Sequence, residues 1–248
     1  MPGSLSAGVL LTVTAAGVVV LVALGLDRAA RLAASAHPRT LAASVASGLC
    51  AWLVATATLA QGGVFGDGTA RPPRWPLLPL IALGTVGILS RTRTFRRLLA
   101  EVPSWQPVAL QAFRIGVELA FWQLHRGGLA PAQVTFEGRN FDGLVGLTAP
   151  VVAVGIAVGW FGPRLAIAWN LFGLLMLFNA IGTVATSAPG PVHLDWPGEP
   201  FTAIATWPVI WIPAFLAPAG IFLHFISIRQ SLGRLARRGP EIRGGDPG

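Results

Sequence analysis

Between Gln111 and His125 a largely apolar stretch carries four polar side chains at helical spacing: Gln111, Arg114, Glu118 and His125. At 100° per residue they fall within an arc of about 60°, with Phe121 and Trp122 flanking it on either side. Arg114 and Glu118 stand four residues apart, near enough to form an ion pair. An unpaired charge inside a bilayer costs at least about 2.5 kcal/mol, so this stripe must face other helices or a watery cavity. A carboxyl that binds and releases a proton beside an arginine is the chemistry of a relay or a substrate site. The same two residues as a fixed pair would serve helix packing, and both readings stay open.

A second group follows in Thr135-Phe136-Glu137-Gly138-Arg139-Asn140-Phe141-Asp142. Asn140 or Asp142 can cap the helix that begins there. Three formal charges and an asparagine between Phe136 and Phe141 exceed what a turn requires, and Arg139 can pair with an acid or hold an anionic head group. Glu137, Arg139, Asn140 and Asp142 are therefore candidates for an outer mouth. In the last apolar segment, Pro213, Ala217, Gly220, His224 and Ser227 share about 80° of arc, so His224 is either a proton carrier or a hydrogen-bonding group at a helix interface. Asn170 and Asn179 are about 180° apart on one helix, and each is expected to bond to a different neighbour.

The elements that must position these residues are read from composition and periodicity. Of 248 residues 53% are hydrophobic and 11% charged, and the mean hydropathy is +0.65, values that belong in a bilayer. Apolar runs predict an all-α polytopic bundle of seven transmembrane helices at about 6–26, 41–61, 76–90, 107–127, 142–160, 165–187 and 202–228. They form a single transmembrane domain over 1–239, followed by a short disordered tail, 240–248. The first run could instead be a signal peptide ending near Ala34-Ser35-Ala36, but no basic residue precedes it and it is long for that role.

The net charge of +8 comes from arginine alone, since lysine is absent. With the amino terminus outside, Arg28, Arg31, Arg39, Arg91, Arg93, Arg96, Arg97, Arg164, Arg229, Arg234, Arg237, Arg238 and Arg243 would be cytoplasmic, against Arg71, Arg74, Arg126 and Arg139 outside. That asymmetry satisfies the positive-inside rule and an odd number of crossings. It makes the bilayer itself, with anionic lipids at the cytoplasmic arginines, the expected partner, and argues against nucleic acid. The composition, rich in Ala, Gly and Arg without Lys or Tyr, suggests a GC-rich bacterial genome and an inner-membrane location.

The segment Thr135–Asp142, continued as Gly143-Leu144-Val145-Gly146-Leu147-Thr148-Ala149-Pro150, resembles a stretch of uncharacterised bacterial multi-pass membrane proteins. The resemblance spans roughly 110–230, including Trp169-Asn170 and Trp211-Ile212-Pro213, implies no activity and carries no catalytic residue.

Several chemistries lack their residues. Without lysine there is no retinal Schiff base, and the lone Cys50 forms no intramolecular disulfide or cysteine metal cluster. His125, Glu137, His193 and Asp195 fall on the outer side but lack zinc-ligand spacing; His125 and His224 lie at opposite ends of their helices, against a bis-histidine haem. No metal or cofactor is therefore expected, nor any Walker, HExxH or GxSxG chemistry. The leading expectation is a small transporter or proton-conducting protein using the stripe. The alternatives are a membrane enzyme or binding protein acting on lipid at the outer interface through Glu137, Asp142 and His125, or a non-catalytic membrane subunit.

Overall fold

The computed structural model describes residues 2–66 and 73–243, which form helices and connecting loops with no strand among them. In chain order come α1 (Pro2–Leu32), α2 (Pro38–Gln61), α3 (Leu77–Leu89), α4 (Arg93–Glu101), α5 (Gln106–Leu110), α6 (Phe113–Arg126), α7 (Asp142–Ala157), α8 (Pro163–Ser187) and α9 (Ala217–Arg243). Short 3-10 turns occupy Ala132–Val134 and Thr202–Ala205, and a π-helical turn at Ile212–Leu216 leads into α9.

Four stretches are long and apolar enough to cross a membrane: Leu5–Leu32, Pro38–Gln61, Pro163–Ser187 and Ile212–Arg237; Leu77–Leu89 and Asp142–Ala157 are apolar but shorter. Their outer surfaces are greasy. On α7, Leu144, Leu147, Val151 and Val154 are exposed while Val145, Ala149 and Ala153 are buried. A rim of this kind on several helices is a liability in water and a lipid-facing surface in a bilayer.

α1 packs against α2 and α6, α8 against α9, and α7 against α5, α6 and α8. Leu11, Ala15 and Val18 of α1 join Phe121 and Leu124 of α6 and Ile210 and Leu216 in the main apolar cluster. Two tryptophans pin α2 to the π turn. Trp211 Nε1 donates to the Leu53 carbonyl at 2.9 Å, and Trp52 Nε1 donates to the Ala214 carbonyl at 2.9 Å. The second bond has a covalent cause: Pro218, four residues after Ala214, has no N–H to offer that carbonyl, so the indole supplies it.

Several expected boundaries move. The helix expected over 107–127 is divided, because the N–H groups of Gln111 and Ala112 bond three residues back, to Val108 and Ala109. The tightening occurs where α7 presses closest: a Cβ on Gly146 would stand 2.9 Å from the Ile115 nitrogen. The helix expected over 202–228 begins only at the π turn, which itself contains Pro213, since Pro208 interrupts the backbone ladder before it. α1 continues to Leu32 through the expected loop at Asp27, helped by the i,i+4 pair in which Arg31 Nε donates to Asp27 Oδ2 at 2.9 Å.

Arg91 to Arg97, expected at the membrane surface, contains the start of α4, which is capped by Thr92 Oγ1 accepting from the Phe95 N–H at 3.2 Å. Arg93, Arg96 and Arg97 are exposed, and Leu98 is buried. Gln230 of α9 donates to the Val102 carbonyl at 2.8 Å, closing the other end. The tail expected from 240 is still helical to Arg243; residues 244–248 and Arg71 lie outside the described residues.

Candidate functional site

The two groups of polar residues are one. After α6 ends at Arg126, the chain turns back and descends along the same helix as an irregular segment. Glu137 Oε1 accepts from Trp122 Nε1 at 2.8 Å, Asn140 Nδ2 donates to Glu118 Oε2 at 2.7 Å, and Asp142 Oδ1 accepts from Arg114 Nη1 at 2.6 Å. Each contact lies one helical turn further from the end of α6, so α7 starts roughly 18 Å down from Arg126. Irregular backbone at that depth is tolerated only where protein covers it. Val134, Thr135 and Asn140 are buried, Asn140 Nδ2 also bonds the Val134 carbonyl at 3.0 Å, and Gln133 Nε2 donates to Ser187 Oγ on α8 at 3.2 Å.

Arg114 stands at the centre, 2% exposed. Its Nε donates to Gln111 Oε1 at 3.0 Å and its Nη1 to Asp142 and to the Gly173 carbonyl at 3.3 Å; its Nη2 meets His224 Nε2 at 2.9 Å. A guanidinium only donates, so His224 Nε2 accepts and the ring proton sits on Nδ1. Nδ1 then donates to Asn170 Oδ1 at 2.8 Å, leaving Asn170 Nδ2 to donate to Ser227 Oγ at 2.8 Å and to the Ala166 carbonyl at 2.7 Å. Gln111 Nε2 closes the ring on the Gly220 carbonyl at 3.1 Å. The chain of bonds ties α6, α7, α8 and α9 together, and every polar atom of Arg114 is engaged.

Close backbone approach makes room for it. A Cβ on Gly173 would fall inside the van der Waals envelope of the His224 ring, and one on Gly220 would sit 3.0 Å from Arg114 Nη2. At the entry of α7, Asn140 Oδ1 accepts from the Asp142 N–H at 3.0 Å, the turn that aims the Asp142 carboxylate at Arg114.

Arg114 therefore pairs with Asp142 and not with Glu118, the partner expected from their spacing. Glu118 has no cationic partner among the described residues; its carboxyl faces the Phe136 backbone N–H, and its buried Oε1 makes no well-formed hydrogen bond. Beside it lies a cavity of about 90 Å³. Arg114, Glu118, Asn140 and Asp142 are its polar lining; the rest is largely apolar, with Phe113, Phe121, Leu177, Leu216 and Ile221 among it. Trp75 also lines it, and its indole N–H is a second buried polar group with no partner.

The remaining expected residues sit outside this network. His125 Nδ1 lies 2.9 Å from the Ala130 carbonyl and its Nε2 3.7 Å from Glu137 Oε2, on the rim. Arg139 is exposed and stacks over Trp196 at 5.2 Å rather than pairing with Glu137 or Asp142, while its carbonyl accepts from Asn179 Nδ2 at 2.7 Å. Of the outer-mouth group, Glu137 and Arg139 stay at the surface, whereas Asn140 and Asp142 go inside. An interfacial acid pair of Glu137 and Asp142 is thus not assembled. His193 and Asp195 join no cluster of three metal-ligating side chains among the described residues.

Asn170, Ser227, Gly173 and Trp75 belong to the site although sequence reasoning did not place them there. An asparagine in an apolar helix had signalled that a partner across the interface was required, without saying which. Comparison with known proteins finds no matching family model, no similar curated protein and no similar solved structure.

Proposed function

We propose that the chain is a small multi-pass transporter or proton-conducting protein in which Glu118 is the group that takes and gives up the proton. The observation that carries this reading is a buried carboxyl on a residue that lines a cavity, with no cationic partner among the described residues. Arg114 and Asp142 cancel one another, and His224 accepts from Arg114 as a neutral ring. Among the acids that line the cavity, Glu118 is the one whose charge depends on what enters it, because an isolated carboxylate in apolar surroundings is far too costly to persist bare. Its other oxygen is tied through Asn140 to the segment that carries Asp142, so a change at Glu118 reaches the Arg114 network through one side chain.

The architecture favours the same class. A helix that begins deep in the bundle after an irregular, protein-covered segment is how many transporters build a binding position at mid-depth. The finer topology goes with it: seven crossings, with α5 and α6 together forming the fourth, the amino terminus outside, the carboxyl terminus cytoplasmic, and a bacterial inner membrane whose anionic lipids meet Arg93, Arg96 and Arg97 of α4.

The test is proton flux into liposomes containing the purified protein and a pH-sensitive dye. Glu118→Gln, which keeps shape and hydrogen bonding but cannot ionise, is expected to abolish flux while the protein remains folded in detergent. Retained flux in that variant sinks the reading.

A further inference from the structure

Away from the Arg114 network, a groove of about 280 Å³ runs between the far end of α1 and the start of α5. Its α1 wall holds Leu21, Leu24, Gly25 and Arg28, which at spacings of three, four and seven share one helix face. Trp105 and Gln106 stand on the other wall. No charged side chain precedes Asp27, so the groove straddles the point at which α1 passes from apolar to charged. Leu21 and Leu24 are exposed on the apolar side of that point and Arg28 on the charged side. In a bilayer this is the headgroup level, where the half-exposed Trp105 also belongs.

Gly25 lets the second wall come close. A Cβ there would fall on the Gln106 side-chain amide, which therefore lies against α1 one turn before Arg28. Arg28 has no ion pair and no side-chain hydrogen bond among the described residues, whereas Arg31 is taken by Asp27. No acid lines the groove among the described residues. α4, which packs against α1, exposes Arg93, Arg96 and Arg97. Over 27–31 and 91–101 six arginines stand against two acids, Asp27 and Glu101, and Asp27 is already paired.

The geometry points to this groove as the seat of one anionic phospholipid. Its phosphate oxygens accept from the Arg28 guanidinium, its glycerol lies over the Gln106 amide, and its first methylenes run down Leu21 and Leu24. A guanidinium offers phosphate a planar fork of donors, and the arginines of α4 add a diffuse attraction. An ammonium-bearing head would find no acid in the lining to meet it. A free phosphate would leave the leucines of the groove uncovered. Size agrees with a head rather than a whole lipid: a cavity of about 150 Å³ takes a benzene ring, so about 280 Å³ takes roughly ten heavy atoms, a glycerol phosphate with its chains outside. The groove shares no lining residue with the cavity beside Glu118, so the flux test does not bear on it.

The experiment places the full chain in phosphatidylcholine nanodiscs with a trace of phosphatidylglycerol carrying a diazirine near the start of one acyl chain. After illumination, adducts are expected on the α1 peptide that holds Leu21 and Leu24. Unlabelled phosphatidylglycerol should compete at least about tenfold better than phosphatidylethanolamine, the worth of one charge-assisted contact. Arg28→Gln should erase that preference, and Arg28→Lys, which keeps the charge, should restore most of it and exclude misfolding as the cause. Arg93→Gln removes the same charge outside the lining and should change the preference by less than about twofold.

Phosphatidylethanolamine competing as well as phosphatidylglycerol overturns the proposal, as does a preference that survives Arg28→Gln. An equal loss in Arg93→Gln overturns it by making the arginines a diffuse charged surface. Displacement by inorganic phosphate at the same concentration would give the groove to a free anion, and adducts spread evenly over the exposed helices would leave no discrete seat; either result sinks the phospholipid.

Discussion

The two halves of the bundle are held by different chemistry. Where α1, α2 and the π turn meet, the contacts are largely apolar, and among the described residues the two indole bonds of Trp52 and Trp211 to backbone carbonyls cross between α2 and the π turn. Where α6, α7, α8 and α9 meet, a buried arginine bonds to Gln111, to Asp142 of α7, to the Gly173 carbonyl of α8 and to His224 of α9. The first arrangement tolerates small shifts, because dispersion and burial have no preferred direction. The second does not, since one displaced partner strands a charge. The contrast implies that sequence changes are cheap in the α1–α2 half and expensive around Arg114.

That contrast can be broken at its strongest point. Arg114→Met leaves Asp142 without its cation and should cost about 3–5 kcal/mol in detergent denaturation, whereas Arg114→Met with Asp142→Leu should recover most of that loss. A double variant no more stable than the single one would show that the pair is not the source of the cost. A less severe intrusion is Gly173→Ala, whose methyl must displace the His224 ring; a loss of about 1–3 kcal/mol is expected from thermal melting. Trp52→Phe removes one donor from the Ala214 carbonyl and should cost about 1 kcal/mol, read from the same melts. Smallest of all is Gly17→Ala on α1, where nothing lies within 4 Å of the added carbon; stability should stay the same or rise by under about 1 kcal/mol. If Gly17→Ala and Gly173→Ala melt alike, the two halves do not differ as described.

The stripe on α6 was legible from spacing alone, because helical periodicity is local and charges in an apolar run are conspicuous. Its partners were not. Arg114 and Glu118 are the right distance apart to pair, yet Asp142, 28 residues on, takes the arginine. Nothing local encodes that choice; it depends on residues 127–141 folding back along α6. The helix boundaries moved for a similar reason, as at Gln111, where the ladder tightens against α7 and the side chain bonds to Gly220. The arc shared by Gly220, His224 and Ser227 did survive, and all three reach the network directly or through Asn170. Trp75 was invisible as a site residue because a tryptophan beside prolines at a helix entry reads as an interfacial anchor.

The folding back of residues 127–141 also bears on how such a chain enters the bilayer. Taken alone, α6 carries Arg114 and Glu118, each of which opposes insertion at a helix centre by about 2.5–3.5 kcal/mol. Asp142 arrives only with the next helix, and its carboxylate is what neutralises the arginine. On the proposed topology, α6 and α7 therefore partition out of the insertion machinery as a hairpin, with α6 waiting until Asp142 has been synthesised. Chains truncated after Gly128 should leave α6 largely uninserted in a glycosylation-mapping assay, and chains truncated after Ala157 should insert it.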